Sequence, residues 1–320
     1  MHLLVTGGAG FIGSNFVELA ISKLFGSKVA SIDIIDSLTY AGNLENLGRS
    51  LADPRVKFHE LSINDTMILP SLIHEDTIVV NFAAESHVDR SISSSRDFVL
   101  TNILGVENLL SICLERNAKR FIQVSTDEVY GSVAVGSANE NSPLITNSPY
   151  SASKASADLL TLSYYKTHQL PVNITRCTNN FGKYQHEEKF IPVVIKSMLA
   201  KTAIPVYGTG KNIRDWIHVD DHCAGIAKVI ERGKIGEIYN FGAGNEITNL
   251  DIVDEISKIL GIKESLVDYV KDRMGHDYRY SVNFNKSRKE LNWEPKSDFQ
   301  TALRETIEWY QLAHFDWVRN

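Results

Sequence analysis

The chain is poor in cysteine, with only Cys113, Cys177 and Cys223 among 320 residues. They lie far apart, form no CxxC and sit among apolar neighbours. A disulfide framework and a cysteine-based zinc site are thereby excluded, and reduced core thiols remain. His218 and His222 do not complete a metal-ligand set, so no metal is expected. Basic charge is not in surplus. Lys and Arg number 33 against 39 Asp and Glu, a net charge of −6, and no dense basic run occurs. That balance gives no support to a nucleic-acid partner. Long hydrophobic runs are missing too. No span of about 20 apolar residues exists, so no membrane helix is expected. The first apolar run begins at residue 3 without a basic segment before it and is broken by Gly7-Gly8, unlike a signal peptide. A cytoplasmic location is the expectation. Internal repeats, low-complexity segments and flexible linkers are also lacking.

What is present is ordinary for a globular protein: 43% hydrophobic and 22% charged residues. The length suits one large or two unequal domains. Residues 2–6 (HLLVT) read as a short buried strand, followed at once by Gly7, Gly10 and Gly13 in a GxxGxxG pattern. An amphipathic segment with Phe16, Val17, Leu19, Ala20 and Leu24 comes next. Strand, glycine turn and helix together suit a dinucleotide, because the glycines bring backbone N–H groups against a pyrophosphate at a helix start. The next strand, 29–35, is followed closely by acid. Asp33 and Asp36 lie roughly 20 residues beyond the last glycine, where a carboxylate bonds the adenosine ribose hydroxyls. Such a carboxylate repels a 2′-phosphate and no Arg replaces it, so NAD rather than NADP is the expected cofactor.

Further strands are expected at 56–61, 77–82, 121–125 and 172–177, and helices near 65–74, 96–116 and 149–168. This alternation predicts the α/β class: a doubly wound parallel sheet, Rossmann-like, over residues 1–178. After residue 178 the elements shorten, with helices predicted at 190–200, 219–231, 249–260 and 298–313. That texture predicts a smaller C-terminal α/β substrate-binding region, 179–320, whose chain crosses back to the main sheet. The helix near 98–113 is apolar almost all round, and 149–168 carries many small or apolar residues. Such helices must be buried on more than one side, and a homodimer through 96–116 and 149–168 is the expectation.

One stretch, 121–154, concentrates the chemistry. An apolar run, Phe121 to Val124, ends in Ser125-Thr126-Asp127-Glu128. A buried strand of this kind delivers side chains at its C-terminal end, where open α/β sheets bind ligands. Pro149 suits the first turn of a helix, which places Tyr150 and Lys154 on one helical face. A free phenol titrates near 10, so work at neutral pH needs a drop of roughly 3 units, about 4 kcal/mol. An adjacent ammonium and a cationic nicotinamide are the kinds of charge that supply it. With Thr126 holding a hydroxyl in line with Tyr150, these groups suit removal of a proton and a hydride from a secondary alcohol. Asp127 and Glu128 are surplus to that task.

The glycine motif, Tyr150-xxx-Lys154 and an upstream hydroxyl together resemble the extended short-chain dehydrogenase/reductase superfamily. Within it the chain resembles the dTDP-glucose 4,6-dehydratases over nearly its whole length. The resemblance is carried by VTGGAGFIGSN (5–15), DSLTYAGN (36–43), AAESHVDRS (83–91), STDEVYG (125–131), SPYSASKASAD (148–158), NNFG (179–182), IRDWIHVDDH (213–222) and GHDYRY (275–280). It implies NAD held by Gly7, Gly10, Phe11, Ile12, Gly13, Asp36, Thr39, Ser62, Ile63, Ala83, Tyr150 and Lys154. It implies Thr126, Asp127, Glu128, Tyr150 and Lys154 as catalytic residues, with Asp127 the acid and Glu128 the base of a water elimination. For the nucleotide sugar it implies Ser86, Thr126, Asn179, Lys189, Pro205, Tyr207, Arg214, Asn249, Arg273 and His276. Charge logic agrees, since a diphosphate wants Arg and Lys in an otherwise acidic protein. Ser62 stands where the family usually has Asp, Met274 where it has Pro, and Lys183 where Pro follows NNFG. The competing readings are a 4-epimerase, a UDP-glucuronate decarboxylase, or a non-catalytic NAD(H)-binding protein. The first two lack Asp at the position of Asp127, and a pure binder has no need of all five catalytic residues.

Overall fold

Leu3, Leu4 and Val5, and likewise Val79 and Val80, are fully covered by neighbours. Strands buried on both faces in this way belong inside a parallel sheet. The computed structural model describes residues 1–313 and shows that sheet. Its strands are β1 (His2–Thr6), β2 (Ser31–Asp36), β3 (Val56–Glu60), β4 (Thr77–Asn81), β5 (Arg120–Thr126) and β6 (Val172–Cys177). Further strands are β7 (Asn179–Phe181), β8 (Ile204–Tyr207), β9 (Ile213–His218), β10 (Ile238–Phe241), β11 (Glu246–Thr248) and β12 (Val267–Val270). The main sheet has seven strands in the order β10-β6-β5-β4-β1-β2-β3, all parallel. Strand order reverses between β1 and β4, and the crevice at that switch point is where a doubly wound sheet takes its ligand. Helices cover both faces, over one core built around Leu3, Val5, Ile32 and Val80 and another around Leu4, Val79, Leu109 and Phe121.

After residue 178 the chain builds a three-stranded sheet, β11-β9-β7, and a parallel pair, β12-β8. A separate core forms there around Ile191, Val194, Trp216, Ile252 and Leu303. Strand β10 nevertheless pairs with β6, and the helix Val219–Arg232 packs on the glycine-loop helix, so the later segment shares the main sheet. The predicted helices at 149–168, 190–200 and 249–260 form over Pro149–His168, Phe190–Ala200 and Asn249–Leu260. Two expectations fail. The helix near 65–74 shrinks to Leu69–Leu72, because the Asp65 carboxylate takes the Met67 and Ile68 N–H groups into a turn. The stretch Arg96–Glu115 is long and apolar enough, by length and composition, to cross a membrane, against the expectation that no such span exists. Scattered polar residues such as Asn102 hid it in the sequence. In the fold it lies partly buried, with Asn102 bonding both Glu85 and Ser153.

An ion pair ties the main sheet to the helix Pro149–His168. Asp158 and Arg176 meet at 2.8 Å with side chains 0% and 2% exposed. Removing one partner of such a pair leaves an uncompensated buried charge. Asp158→Ala is expected to lower the unfolding free energy by about 3–5 kcal/mol, measured by denaturant titration.

Candidate active site

The site is a groove at the carboxyl ends of β1, β2, β4, β5 and β6. Gly7, after β1, has φ +64°, and a Cβ there would lie 2.5 Å from the Ala83 backbone nitrogen after β4. A Cβ on Gly13 would meet the Gly7 carbonyl at 2.3 Å. These glycines are therefore required for the two loops and the helix Phe11–Leu19 to close together. Gly10 starts that helix with no side-chain cap and no acid in the first turn. Its free N–H groups and positive dipole end face the groove, a cradle that fits a pyrophosphate. Asp36 closes the cradle: its carboxylate accepts from the Ala9 and Leu38 N–H groups, both at 2.9 Å. Asp33, the other candidate, is taken up by His2 at 2.8 Å and His59 at 2.6 Å, so Asp36 is the carboxylate in the groove. Gly7, Gly10, Phe11, Ile12, Gly13, Thr39, Ser62, Ile63 and Ala83 line the same groove. The donor set fits NAD.

At the far end β5 delivers Thr126, which caps the short turn Asp127–Tyr130 by accepting the Glu128 N–H at 3.2 Å. Asp127 is 3% exposed. Its Oδ1 accepts from the Thr126 hydroxyl at 3.3 Å, and its Oδ2 has no partner. Opposite, Ser148 and Ser151 form a reciprocal capping box and Pro149 takes the first turn of the helix Pro149–His168. That helix turns Tyr150 and Lys154 inward, both buried and both lining the groove. The Lys154 ammonium donates to the Val124 carbonyl at 2.7 Å, and Phe98 packs edge-on against Tyr150, ring centroids 6.3 Å apart. Thr126, Asp127, Glu128, Tyr150 and Lys154 thus meet around one space.

Ser86, Asn179 and Lys189 line the groove as well, and Lys189 donates to the Ser86 carbonyl at 2.9 Å. The remaining substrate candidates lie outside its lining. Arg214 and Arg273 are nonetheless near enough to Glu128 to favour its charged form. Arg273 stands 3.8 Å from Asp89, to which Tyr207 also donates at 3.1 Å, and the His276 ring lies edge-on to Tyr207. Pro205 is exposed on β8, and Asn249 starts its helix with its N–H on the Asn212 carbonyl.

Comparison with known proteins agrees with this geometry. A family model described as GDP-mannose 4,6 dehydratase matches residues 4–306. The dTDP-glucose 4,6-dehydratase of an Actinoplanes strain is 45% identical over 320 residues, covering 99% of this chain and 100% of the relative. That of Streptomyces antibioticus is 47% identical, covering 97% of this chain and 92% of the relative. The crystal structure of DesIV, a dTDP-glucose 4,6-dehydratase from Streptomyces venezuelae with NAD and TYD bound, has a TM-score of 0.97 at 46% identity and 99% coverage of both chains. This chain belongs to the dTDP-glucose 4,6-dehydratase family.

The two carboxyl groups differ in what surrounds them. Burial pushes Asp127 well above the usual carboxylate range, and the adjacent Glu128 pushes it further, against the attraction of Arg214. Burial raises Glu128 as well, but Arg273, Arg214 and Lys189 all oppose that shift. Tyr150 departs from the expected direction. Burial, then Glu128 and Cys177, push the phenol well above its ordinary value, while a hydrogen bond with Thr126 pulls the other way. Lys154 is lowered by burial, against the attraction of Asp158.

Several lining residues escaped the sequence reading: Glu85, Thr101, Cys177, Asn180, Gln185 and His186. Thr101 had a signal, as a hydroxyl inside an otherwise apolar helix at a π-helical segment. Glu85 sits inside the AAESHVDRS motif. Gln185 and His186 come from a loop without pattern. Gly7→Ala is expected to weaken NAD binding at least about tenfold, since Ala strains the positive φ and its Cβ meets backbone; calorimetric NAD titration measures this.

Proposed function

We propose that this protein dehydrates dTDP-glucose to dTDP-4-keto-6-deoxyglucose with NAD as cofactor. The carrying observation is the pair Asp127 and Glu128 beside Tyr150 and Lys154 in the groove, with Asp127 poised to keep a proton. A plain alcohol dehydrogenase has no use for that pair.

NAD fits along Gly7–Gly13, Asp36, Thr39, Ser62, Ile63 and Ala83, and when bound it supplies the acceptor and later the donor of a hydride. Thr126 holds the sugar C4 hydroxyl and Tyr150 takes its proton, with Lys154 beside them and fixed to the β5 backbone. Once C4 is a ketone the C5 proton is acidic, and Glu128 removes it. Asp127 protonates the departing C6 hydroxyl and water leaves; the hydride taken from C4 would then return to C6 while Glu128 returns its proton to C5. The two carboxyl groups therefore need opposite protonation states at one pH, which the burial of Asp127 and the cations around Glu128 support. Lys189, Arg214 and Arg273 suit the diphosphate, and Ser86, Asn179, Pro205, Tyr207, Asn249 and His276 complete the nucleotide-sugar site in this reading.

The test is to incubate the protein with dTDP-, UDP-, CDP- and GDP-hexoses and follow the 4-keto-6-deoxy product; no turnover of any of them would overturn the proposal. Asp127→Asn is expected to keep C4 oxidation, seen as transient absorbance of the reduced cofactor, while slowing dehydration by about 10²-fold or more.

A homodimer is part of this reading. Val99, Leu100 and Leu104 on one helix and Leu159 on the next are 39–59% exposed, an apolar stripe on the two helices expected to pair. A second copy would cover it. Sedimentation is expected to give a dimer, and Leu104→Glu combined with Leu159→Glu to give monomer. The three free, buried thiols support a cytoplasmic setting.

A further inference from the structure

The GHDYRY segment makes a contact that the reaction above leaves unused. The Tyr280 hydroxyl lies 2.8 Å from Asp277 Oδ2 and 3.3 Å from Glu128 Oε2. A phenol has one proton and can serve only one of these carboxyl groups fully. The shorter contact is to Asp277, whose other oxygen already accepts from Asn147 Nδ2 at 2.6 Å. Each Asp277 oxygen thus accepts a hydrogen bond, Oδ1 from Asn147 and Oδ2 from Tyr280. Its segment is fixed, because its backbone carbonyl accepts from Arg214 Nη2 at 2.9 Å and Asn212 Nδ2 at 3.1 Å. The Arg214 guanidinium also stacks 4.2 Å from the Tyr280 ring centroid. Tyr280 is 3% exposed, so water does not compete for its proton.

We propose that Tyr280, its proton committed to Asp277, turns an oxygen lone pair towards Glu128 and is a positioning residue that favours the protonated form of that side chain. A base taking a proton from carbon is strengthened when its conjugate acid is the hydrogen-bonded form. The Tyr280 oxygen also gives the captured proton a fixed direction until it returns to C5. The other groups facing Glu128 are Asp127 on its own turn, Tyr150 from the catalytic helix, and Lys189, Arg214 and Arg273. The three cations stabilise the charged form and Asp277 opposes them. Tyr280 converts that opposition into a hydrogen bond.

The test is a double-mutant cycle read by titration of the 13C-labelled Glu128 carboxyl, its signal assigned by loss in Glu128→Gln. In Asp277→Asn the remaining carbonyl oxygen keeps the Asn147 bond and the amide N–H2 faces Tyr280, so Tyr280 donates to Glu128 and stabilises the carboxylate. Proton affinity at Glu128 is then expected to fall about tenfold, one pH unit. In a Tyr280→Phe background the same substitution should shift Glu128 by less than half as much, because only the lost charge remains. Equal shifts in both backgrounds, or no shift from Asp277→Asn, would overturn the proposal. The role in turnover rests on the dehydratase reading, whereas the titration does not. In turnover, Tyr280→Phe should slow elimination more than C4 oxidation, with reduced cofactor accumulating; equal slowing of both steps would also count against it. Tyr280→Phe keeps the ring on Arg214, and thermal unfolding verifies that each variant is folded.

Discussion

The buried pair Asp158–Arg176 is the constraint on which the site depends. It joins the helix Pro149–His168 to β6 with almost no exposure to water. Arg176 also donates to the Tyr130 hydroxyl at 2.9 Å, and Tyr130 donates to Asn240 at 2.8 Å. One network thus fixes the helix that carries Tyr150 and Lys154, the turn that carries Asp127 and Glu128, and β10. A buried ion pair is weak evidence for net stability, since desolvation offsets its attraction. Its value here is geometric. An apolar replacement would fill the space, but it would not hold three elements at one set of hydrogen-bond angles. Asp158 stands one turn beyond Lys154 and favours its charged form, so the network reaches the reacting groups electrically as well.

Around this frame the protein separates two neighbouring carboxyl groups through their surroundings. Asp127 points into the covered end of the site, where one oxygen has no partner and burial dominates. Glu128, one residue on, turns towards Arg214, Arg273 and Lys189. Those cations come from the region after residue 178, so residues from both parts of the chain act on Glu128.

Much of this was legible in the sequence, and the reason differs from element to element. Pro149 after Ser148, with Tyr150 and Lys154 four apart, fixed a helix start that the capping box reproduces. The continuous apolar strands gave the parallel sheet, and glycine spacing gave the cradle. Spacing alone does not separate Asp33 from Asp36, because two acids three apart near a strand end look alike until His2 and His59 are folded against one of them. The segment 65–74 misled for the opposite reason: its local Asx turn outcompeted a helix with little to bury. Tyr280 could be quoted as part of a motif, but its meeting with Glu128 joins residues 152 positions apart, and no local pattern carries that distance.

Tyr150 shows most clearly what sequence spacing leaves out. Tyr and Lys four apart suggest an ammonium that lowers the phenol, yet the Lys154 ammonium donates to the Val124 carbonyl and burial pushes the phenol up. Burial acts first on Tyr150 and Glu128 next, and both hold its proton on, while a hydrogen bond with Thr126 pulls the other way. Deprotonation calls for positive charge brought into the groove, of the kind an oxidised nicotinamide carries.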